Sequence, residues 1–237
     1  MSTLDGKVAL VTGGSRGIGF AIARELSGRG AHVAIAGTSD GPLHEAGQRL
    51  GKGVLAVRAD VRHYANVEHL VATTVDKFGG VDILVNNAGV GAFEPAADMS
   101  LETWHSVLDT NLTGVFHCCR AVLPQMRQRG GGWIVNISSL AGKNPFANGA
   151  AYCASKAALN AFSEALMQEV RQDGVRVAYV LPGSVNTSFM GRTPGEADSW
   201  KLAPEDVALV VADLVSHPSR SLPSRVEIRP SKPPVRG

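Results

Sequence analysis

Short apolar, β-branched runs alternate along the chain with longer segments of helical periodicity. Successive positions within each run are apolar, which is typical of parallel strands buried on both faces. The pattern predicts seven strands, at 7–12, 32–36, 53–59, 82–86, 132–138, 176–181 and 224–229. It predicts six helices between and after them, at 17–29, 42–50, 64–78, 101–129, 152–173 and 204–216.

Strands that alternate with helices predict right-handed βαβ crossovers. The 237 residues contain no internal linker and no repeat period that would divide the rhythm. We therefore predict an α/β fold of the three-layer Rossmann type, with a doubly wound seven-stranded parallel sheet in a single domain spanning 1–237.

Two segments depart from this rhythm. Residues 184–201 are polar and rich in Gly and Ser, but they contain Phe189, Met190 and Trp200. Because the segment follows a strand end, where open α/β sheets place their ligand crevice, it is predicted to be a substrate loop. An ordinary surface connection is the alternative. The Pro-rich tail 230–237 is predicted to be flexible.

The composition of the chain argues against several classes of function. The net charge of +2 is too small to favour a nucleic-acid partner or an anionic membrane surface. The three cysteines, Cys118, Cys119 and Cys153, form no C-x-x-C pair, and the seven histidines have no metal-ligand spacing, so we predict neither disulfides nor a metal site. The N-terminus does not resemble a signal peptide and no run is long enough to span a membrane, which predicts a cytoplasmic protein.

A glycine-rich turn connects the first strand to the first helix, with the sequence TGGSRGIG over 12–19. Glycines allow the backbone to approach a pyrophosphate, and a helix N-terminus offers free N–H groups with a partial positive charge. The order strand, glycine turn, helix therefore predicts a dinucleotide cradle.

Cofactor choice is predicted at the end of the second strand, which continues into Gly37, Thr38 and Ser39. An acidic residue there would bond the ribose 2′-hydroxyl of NAD, whereas this chain has Asp40 only one position later. Arg16, in the glycine turn, is a cation for a 2′-phosphate. The sequence favours NADP, and NAD is the alternative.

Three side chains are candidates for proton transfer. Tyr152 and Lys156 are four residues apart in a helical segment and share one face, and Ser139 follows the fifth strand. An ammonium group near the phenol is expected to lower its pKa, which makes Tyr152 a usable acid and base near neutral pH. The serine hydroxyl would hold the substrate oxygen.

In this order and spacing the motifs resemble the short-chain dehydrogenase/reductase family, in its single-domain branch. The matching residues are Thr12 to Gly19, Asp60 and Val61, Asn86 to Gly89, Asn111, Ser139, Tyr152, Lys156, Pro182, Gly183 and Thr187. The resemblance includes NADP-using members such as 3-oxoacyl-(acyl-carrier-protein) reductases. The chain departs from those reductases at its end, which lacks their Asp-Gly-Gly segment.

The resemblance implies a role for each residue. Tyr152 would be the general acid and base, Lys156 would lower its pKa and hold the nicotinamide ribose, Ser139 would orient the substrate oxygen, and Asn111 would support a water chain to Lys156. The implied cofactor-binding residues are Gly13, Ser15, Arg16, Gly17, Ile18, Gly19, Gly37, Thr38, Ser39, Asp60, Val61, Asn87, Ala88, Gly89, Tyr152, Lys156, Pro182, Gly183, Val185 and Thr187. Members associate through their longest helices, so a homo-oligomer is implied.

The predicted function is NADP(H)-dependent hydride transfer to a small-molecule carbonyl, or from the corresponding secondary alcohol. An NAD-dependent dehydrogenase and a catalytically silent dinucleotide sensor are the alternatives. A sugar-nucleotide epimerase is disfavoured because the chain has no separate substrate domain. The predicted pocket walls are Phe93, Leu140, Phe146, Phe189, Met190 and Trp200.

Overall fold

The computed structural model describes residues 4–51, 53–191, 193 and 195–233. The strands are β1 Val8–Thr12, β2 His32–Gly37, β3 Leu55–Arg58, β4 Ile83–Asn86, β5 Gly132–Ile137, β6 Val175–Pro182 and β7 Arg225–Ile228. The helices are α1 Gly17–Gly28, α2 Asp40–Leu50, α3 Tyr64–Phe78, α4 Leu101–Leu108, α5 Gly114–Gln128, α6 Ala150–Val170 and α7 Pro204–Val215.

All seven strands lie in one parallel sheet with the order β3-β2-β1-β4-β5-β6-β7. The chain moves outward from β1 to β3, then crosses to β4 beside β1 and moves outward in the other direction. A crevice opens above the carboxyl ends of the strands at such a reversal of order. The predicted α/β, doubly wound Rossmann fold is confirmed.

Two hydrophobic clusters cover the two faces of the sheet. Helices α1, α2 and α7 pack on one face against side chains such as Val11 and Ile35. Helices α3, α5 and α6 pack on the other face against Leu10, Leu84 and Ile134. Both faces of every central strand are thus removed from water, which explains the unbroken apolar runs. Within the described residues, no helix combines the length and apolarity that crossing a membrane requires.

The cysteines of α5 belong to this core. Burial raises the pKa of the Cys118 thiol above its usual range and that of Cys119 to about 12. Both side chains are therefore inert apolar groups at neutral pH.

The predicted single helix over 101–129 is wrong in its middle. A π-helical turn, Asp109–Thr113, separates α4 from α5. Such a turn adds one residue to the helical repeat and is frequent at functional sites. The other helices begin or end within a few residues of the predicted positions: α2 begins at Asp40, and α6 begins at Ala150.

The two irregular segments are only partly described. The predicted substrate loop contains two short helical turns, Phe189–Gly191 and Glu196–Asp198, and residues 192 and 194 lie outside the described residues. Of the predicted flexible tail, 234–237 likewise lies outside them. Pro230, at its start, packs next to Gly183.

Candidate active site

A cavity of about 630 Å³ opens at the carboxyl ends of the strands. Most residues predicted to bind the cofactor line it, together with two of the predicted pocket walls. The predicted site and wall residues that line the cavity are Gly13, Ser15, Arg16, Gly17, Ile18, Gly37, Thr38, Asp60, Val61, Asn87, Ala88, Gly89, Ser139, Tyr152, Lys156, Pro182, Gly183, Val185, Thr187, Phe189 and Met190. Three predicted site residues, Gly19, Ser39 and Asn111, do not line it.

The glycine turn is held in place by the end of β4. Asn87 donates its side-chain amide to the carbonyl oxygens of Thr12 and Gly13, at 3.0 and 3.1 Å. In return, the Thr12 hydroxyl accepts the backbone N–H groups of Asn87 and Ala88 at 3.0 and 3.1 Å. The turn itself needs a left-handed conformation at Gly13, with φ +63°. Its shape is thus fixed by contacts to the strand across the crevice.

Gly19 has a different role from the one predicted. It is buried behind the turn, and a side chain there would collide with the carbonyl oxygen of Gly13 and the amide of Asn87. Glycine is therefore needed for close packing of α1 under the turn, and not for contact with a ligand.

The N-terminus of α1 has the properties of an anion site. No side chain caps it and its first turn contains no acidic residue. Gly17 and Ile18, the first two helical residues, line the cavity. The free N–H groups and the positive end of the helix dipole thus face the cavity, which fits a pyrophosphate.

At the end of β2, Gly37 and Thr38 line the cavity, but Ser39 does not. Ser39 instead precedes α2 as its N-cap residue. Asp40, the first residue of α2, pairs with Arg58 at 3.0 Å. Arg58 lies beside Gly37 because the two residues are register partners in β3 and β2. A cation that the sequence analysis missed therefore neutralises the carboxylate nearest to this strand end.

Asp60 and Val61 form the far end of the cavity, where sequence reasoning also missed Arg62. The Arg62 guanidinium contacts both carboxylate oxygens of Asp60, with a shortest distance of 2.6 Å. These hydrogen bonds lower the pKa of Asp60 below its usual range. The only sequence signal for Arg62 is its position two residues after the aspartate.

Ser139 and Tyr152 meet on the wall of the cavity. Ser139 follows β5 and begins a short helical turn, Leu140–Gly142, and its hydroxyl accepts the N–H of Ala141 at 3.1 Å. Burial raises the pKa of the Tyr152 phenol, and a side-chain hydrogen bond with Ser139 opposes that shift. The two hydroxyls that a substrate oxygen requires therefore belong to the wall of one cavity.

Lys156 lies one helical turn after Tyr152 and is buried. Its ammonium group donates to the carbonyl oxygen of Ile137 at 2.8 Å and lies 5.9 Å from the centroid of the Tyr152 ring. Burial lowers the pKa of Lys156 to about 8. The expected lowering of the Tyr152 pKa by Lys156 is therefore corrected: burial dominates, and the pKa of the phenol rises.

Asn111 does not line the cavity but stabilises the site through hydrogen bonds. Its carboxamide lies in the π-helical turn, accepts the N–H of Val90 at 2.8 Å and donates to the Val90 carbonyl at 2.9 Å. The same amide donates to the Ser155 hydroxyl at 3.0 Å, which in turn donates to the Tyr152 carbonyl. Asn111 thus connects the loop after β4 with the first turn of α6. Ser155 was missed, and its place beside Lys156 in the sequence was the available signal.

Four of the six predicted pocket walls do not line the cavity: Phe93, Leu140, Phe146 and Trp200. Phe93 nevertheless contacts Tyr152, and Phe146 contacts Phe93. The Phe93 ring makes an edge contact with Tyr152 at a centroid distance of 5.6 Å, and with Phe146 at 5.3 Å. Phe189 lies 6.0 Å from Tyr152 on the other side.

The predicted substrate loop crosses the cavity. A parallel bridge between Val185 and Leu202 joins its two ends. Between them, Phe189 and Met190 line the cavity, and Met190 has a left-handed backbone with φ +60°. A side chain at Gly91 would be only 2.9 Å from the Phe189 ring, so the loop already rests on the segment that follows β4.

The low pKa of Lys156 makes a prediction for the free protein. Between pH 8 and 10.5 the folded state binds fewer protons at this side chain than the unfolded chain, so stability rises with pH in that window. Below pH 8 both states hold the proton and the full cost of burial is present. We expect the free energy of unfolding of the wild type, minus that of Lys156→Met, to increase by about 2 kcal/mol between pH 7 and pH 10.

Urea unfolding of both proteins at several pH values measures this difference. Titratable groups that lie away from Lys156 are common to both proteins, and their contributions cancel in the subtraction. A difference that stays flat with pH would contradict the low pKa of Lys156.

The doubly wound sheet, the glycine turn and the crevice between β1 and β4 are those of a Rossmann-type protein. The family model for short chain dehydrogenases matches residues 7–197. The chain therefore belongs to the short-chain dehydrogenase family of oxidoreductases.

Individual proteins agree with that assignment. An uncharacterized oxidoreductase of Staphylococcus epidermidis is 36% identical over 97% of this chain and 100% of its own. A metagenomic short-chain oxidoreductase, solved in complex with NADP, is 37% identical with a TM-score of 0.86, over 98% of this chain and 100% of that one. The closed form of a serine dehydrogenase complexed with NADP+ is 35% identical with a TM-score of 0.89, over 97% of both chains.

Proposed function

We propose that this protein is an NADP(H)-dependent oxidoreductase that interconverts a carbonyl compound and its secondary alcohol. The observation that carries the proposal is that Ser139 and Tyr152 line the same cavity as the glycine turn and the free N-terminus of α1. One part of the cavity suits a dinucleotide and the other presents two hydroxyls to a substrate oxygen.

The residues would divide the work as follows. Gly13, Gly17 and Ile18 would hold the pyrophosphate, and Lys156 would hold the nicotinamide ribose. A bound nicotinamide would supply the hydride that the carbonyl carbon accepts. The Ser139 hydroxyl would donate to the substrate oxygen, and Tyr152 would give that oxygen its proton.

The raised pKa of Tyr152 fits the direction of reduction. A phenol that stays protonated at pH 7 is the form that donates a proton to the developing alkoxide. After the transfer, the Lys156 ammonium is the nearest cation on the same helix to the phenolate. Asn111 would act as a positioning residue, because it contacts the backbone of Val90 and the side chain of Ser155 rather than the cavity.

Two features support NADP over NAD. Arg16, in the glycine turn, lines the same cavity as Thr38 at the end of β2. The carboxylate of Asp40, which would repel a 2′-phosphate, is neutralised by Arg58. The guanidinium of Arg58 is 67% exposed and remains accessible to an anion. The NADP-bound relatives are consistent with this preference.

The test compares NADPH and NADH oxidation by the purified protein against ketones, aldehydes, diketones and acetoacetyl thioesters. We expect turnover with NADPH. We also expect the dissociation constant of NADH to be at least about 10-fold higher than that of NADPH, which is the contribution of one charge-assisted contact. Equal affinity for both cofactors would contradict the preference for NADP. Tight NADPH binding with no turnover of any compound would contradict the proposed reaction and favour a dinucleotide sensor.

Arg58 variants complete this experiment. We expect Arg58→Ala to weaken NADPH binding about 10-fold and leave NADH unchanged, because Asp40 then faces the 2′-phosphate without its partner. The double variant Arg58→Ala, Asp40→Ala is the control, and it should recover most of the lost affinity. If the double variant recovered none of the lost NADPH affinity, the explanation through Asp40 would be wrong and Arg58 would contact the 2′-phosphate directly.

The predicted homo-oligomer and the predicted cytoplasmic location stay predictions. By the family resemblance, copies would associate through α4, α5 and α6.

A further inference from the structure

Three phenylalanine rings form a row of ring contacts with Tyr152, and one of them, Phe189, also lines the cavity. We call Phe93, Phe146 and Phe189 the aromatic rim. Their side chains are 37%, 47% and 38% exposed, although large apolar groups are normally buried. Phe93 and Phe189 contact the Tyr152 ring from two sides, and Phe146 extends the row beyond Phe93. The rim is thus an exposed aromatic surface continuous with the catalytic phenol.

The described lining of the cavity contains few charged side chains. The charged side chains among the described lining residues are Arg16, Asp60, Arg62 and Lys156. Arg16 belongs to the glycine turn, and Asp60 and Arg62 pair with each other after β3. Lys156 is bonded to the carbonyl oxygen of Ile137.

The other described lining residues are uncharged, and they include Val90, Gly91, Ser106, Thr110, Ser188, Phe189 and Met190. A substrate with a carboxylate or an ammonium group would be desolvated there without a described partner, which is costly. Serine, which one similar enzyme is named for, carries both groups. An uncharged apolar compound would lose nothing on entry.

We propose that the substrates are aryl ketones and the corresponding benzylic alcohols. The inference rests on the proposed function. With the ketone oxygen bonded to Ser139 and Tyr152, the group attached to the carbonyl carbon would lie beside Phe189, the member of the rim that lines the cavity. An aryl ring in that position would make edge-to-face contacts of the kind that Phe93 already makes with Tyr152. In the reaction the carbonyl carbon gains a hydride, the oxygen gains the Tyr152 proton, and NADPH becomes NADP+.

The experiment uses two ketones of matched size, acetophenone and cyclohexyl methyl ketone, which differ in the aromaticity of the ring. We expect kcat/KM with NADPH to be at least about 5-fold higher for acetophenone, given the contribution of aromatic pairs. Calorimetric titration of both ketones into the NADP+-loaded protein gives a second readout, because no hydride is available and only binding is measured. Acetophenone should bind more tightly by a similar factor.

Variants of two rim residues test whether the rim causes the preference for acetophenone. Phe93→Leu and Phe146→Leu keep apolar volume but remove the rings, and each should raise KM and the calorimetric dissociation constant for acetophenone about 3-fold to 10-fold. The values for cyclohexyl methyl ketone should change less than 2-fold. Phe78→Leu is the matched control, since Phe78 stacks on His32 at the end of α3 away from the cavity, and it should change neither.

The possible outcomes distinguish failure of the aryl-ketone inference from failure of the proposed oxidoreductase function. Equal or better turnover and binding of cyclohexyl methyl ketone would overturn the inference and leave the oxidoreductase proposal in place. Unchanged parameters for acetophenone in both rim variants would overturn it as well. Failure of the wild type to reduce any ketone, with NADPH bound, would overturn the proposed function and this inference with it.

Discussion

Replacing Tyr152 with phenylalanine is expected to lower kcat by roughly 10³-fold while the dissociation constant of NADPH changes less than 2-fold. The substitution removes only the phenolic oxygen, which is the proposed proton donor. The ring stays, and with it the contacts to Phe93 and Phe189. Without that oxygen the alkoxide must take its proton from water, and the substrate oxygen also loses a hydrogen-bond donor.

Stopped-flow measurement of a single turnover, together with fluorescence titration of NADPH, separates the two effects. Ser139→Ala is the companion variant, and it should lower kcat less than Tyr152→Phe because it removes a hydrogen bond without removing the acid. Retention of more than about a tenth of wild-type kcat by Tyr152→Phe would show that another group transfers the proton.

The sequence pattern was sufficient for the sheet and for most of the cavity lining. Central strands such as β1 and β4 are buried on both faces, so each is apolar at every position except its last residue, Thr12 or Asn86, and that pattern is visible in the sequence. The glycine turn could be predicted for the same reason. A positive φ at Gly13 restricts the residue type so strongly that the chemistry of the position is visible in the sequence.

Features that depend on partners distant in sequence could not be predicted in this way. The π-helical turn at Asp109–Thr113 lies inside an apparently regular helical pattern, and its Asn111 bonds to Val90 and Ser155, which are distant in sequence. Arg58 and Asp40 pair only because β3 lies beside β2. The pKa of Tyr152 depends on burial, which the Tyr-x-x-x-Lys spacing does not show.

Two glycines of α1 have different structural roles, which residue type alone does not reveal. Gly19 and Gly28 belong to the same helix, and each is a residue that weakens a helix. A side chain at Gly19 would meet the Gly13 carbonyl and the Asn87 amide, whereas a side chain at Gly28 would meet nothing within 4 Å. The first glycine is required by packing, and the second is not.

Alanine at the two positions should therefore have opposite effects. We expect Gly19→Ala to lower the free energy of unfolding by about 3 kcal/mol, because backbone must move to admit the methyl group. The glycine turn would shift away from Asn87, and the loss of one or two charge-assisted hydrogen bonds to the pyrophosphate would weaken NADPH binding by roughly 10²-fold.

Gly28→Ala serves as the matched control, and it should raise the free energy of unfolding by about 0.5 kcal/mol through helix propensity, with NADPH binding unchanged. Urea unfolding and NADPH titration of the three proteins measure both quantities. Normal stability and normal NADPH affinity in Gly19→Ala would mean that α1 does not pack against the glycine turn as closely as the structure places it. A loss of stability with normal affinity would mean that the N–H groups of the turn do not hold the pyrophosphate, and the location of the cofactor in this crevice would have to be abandoned.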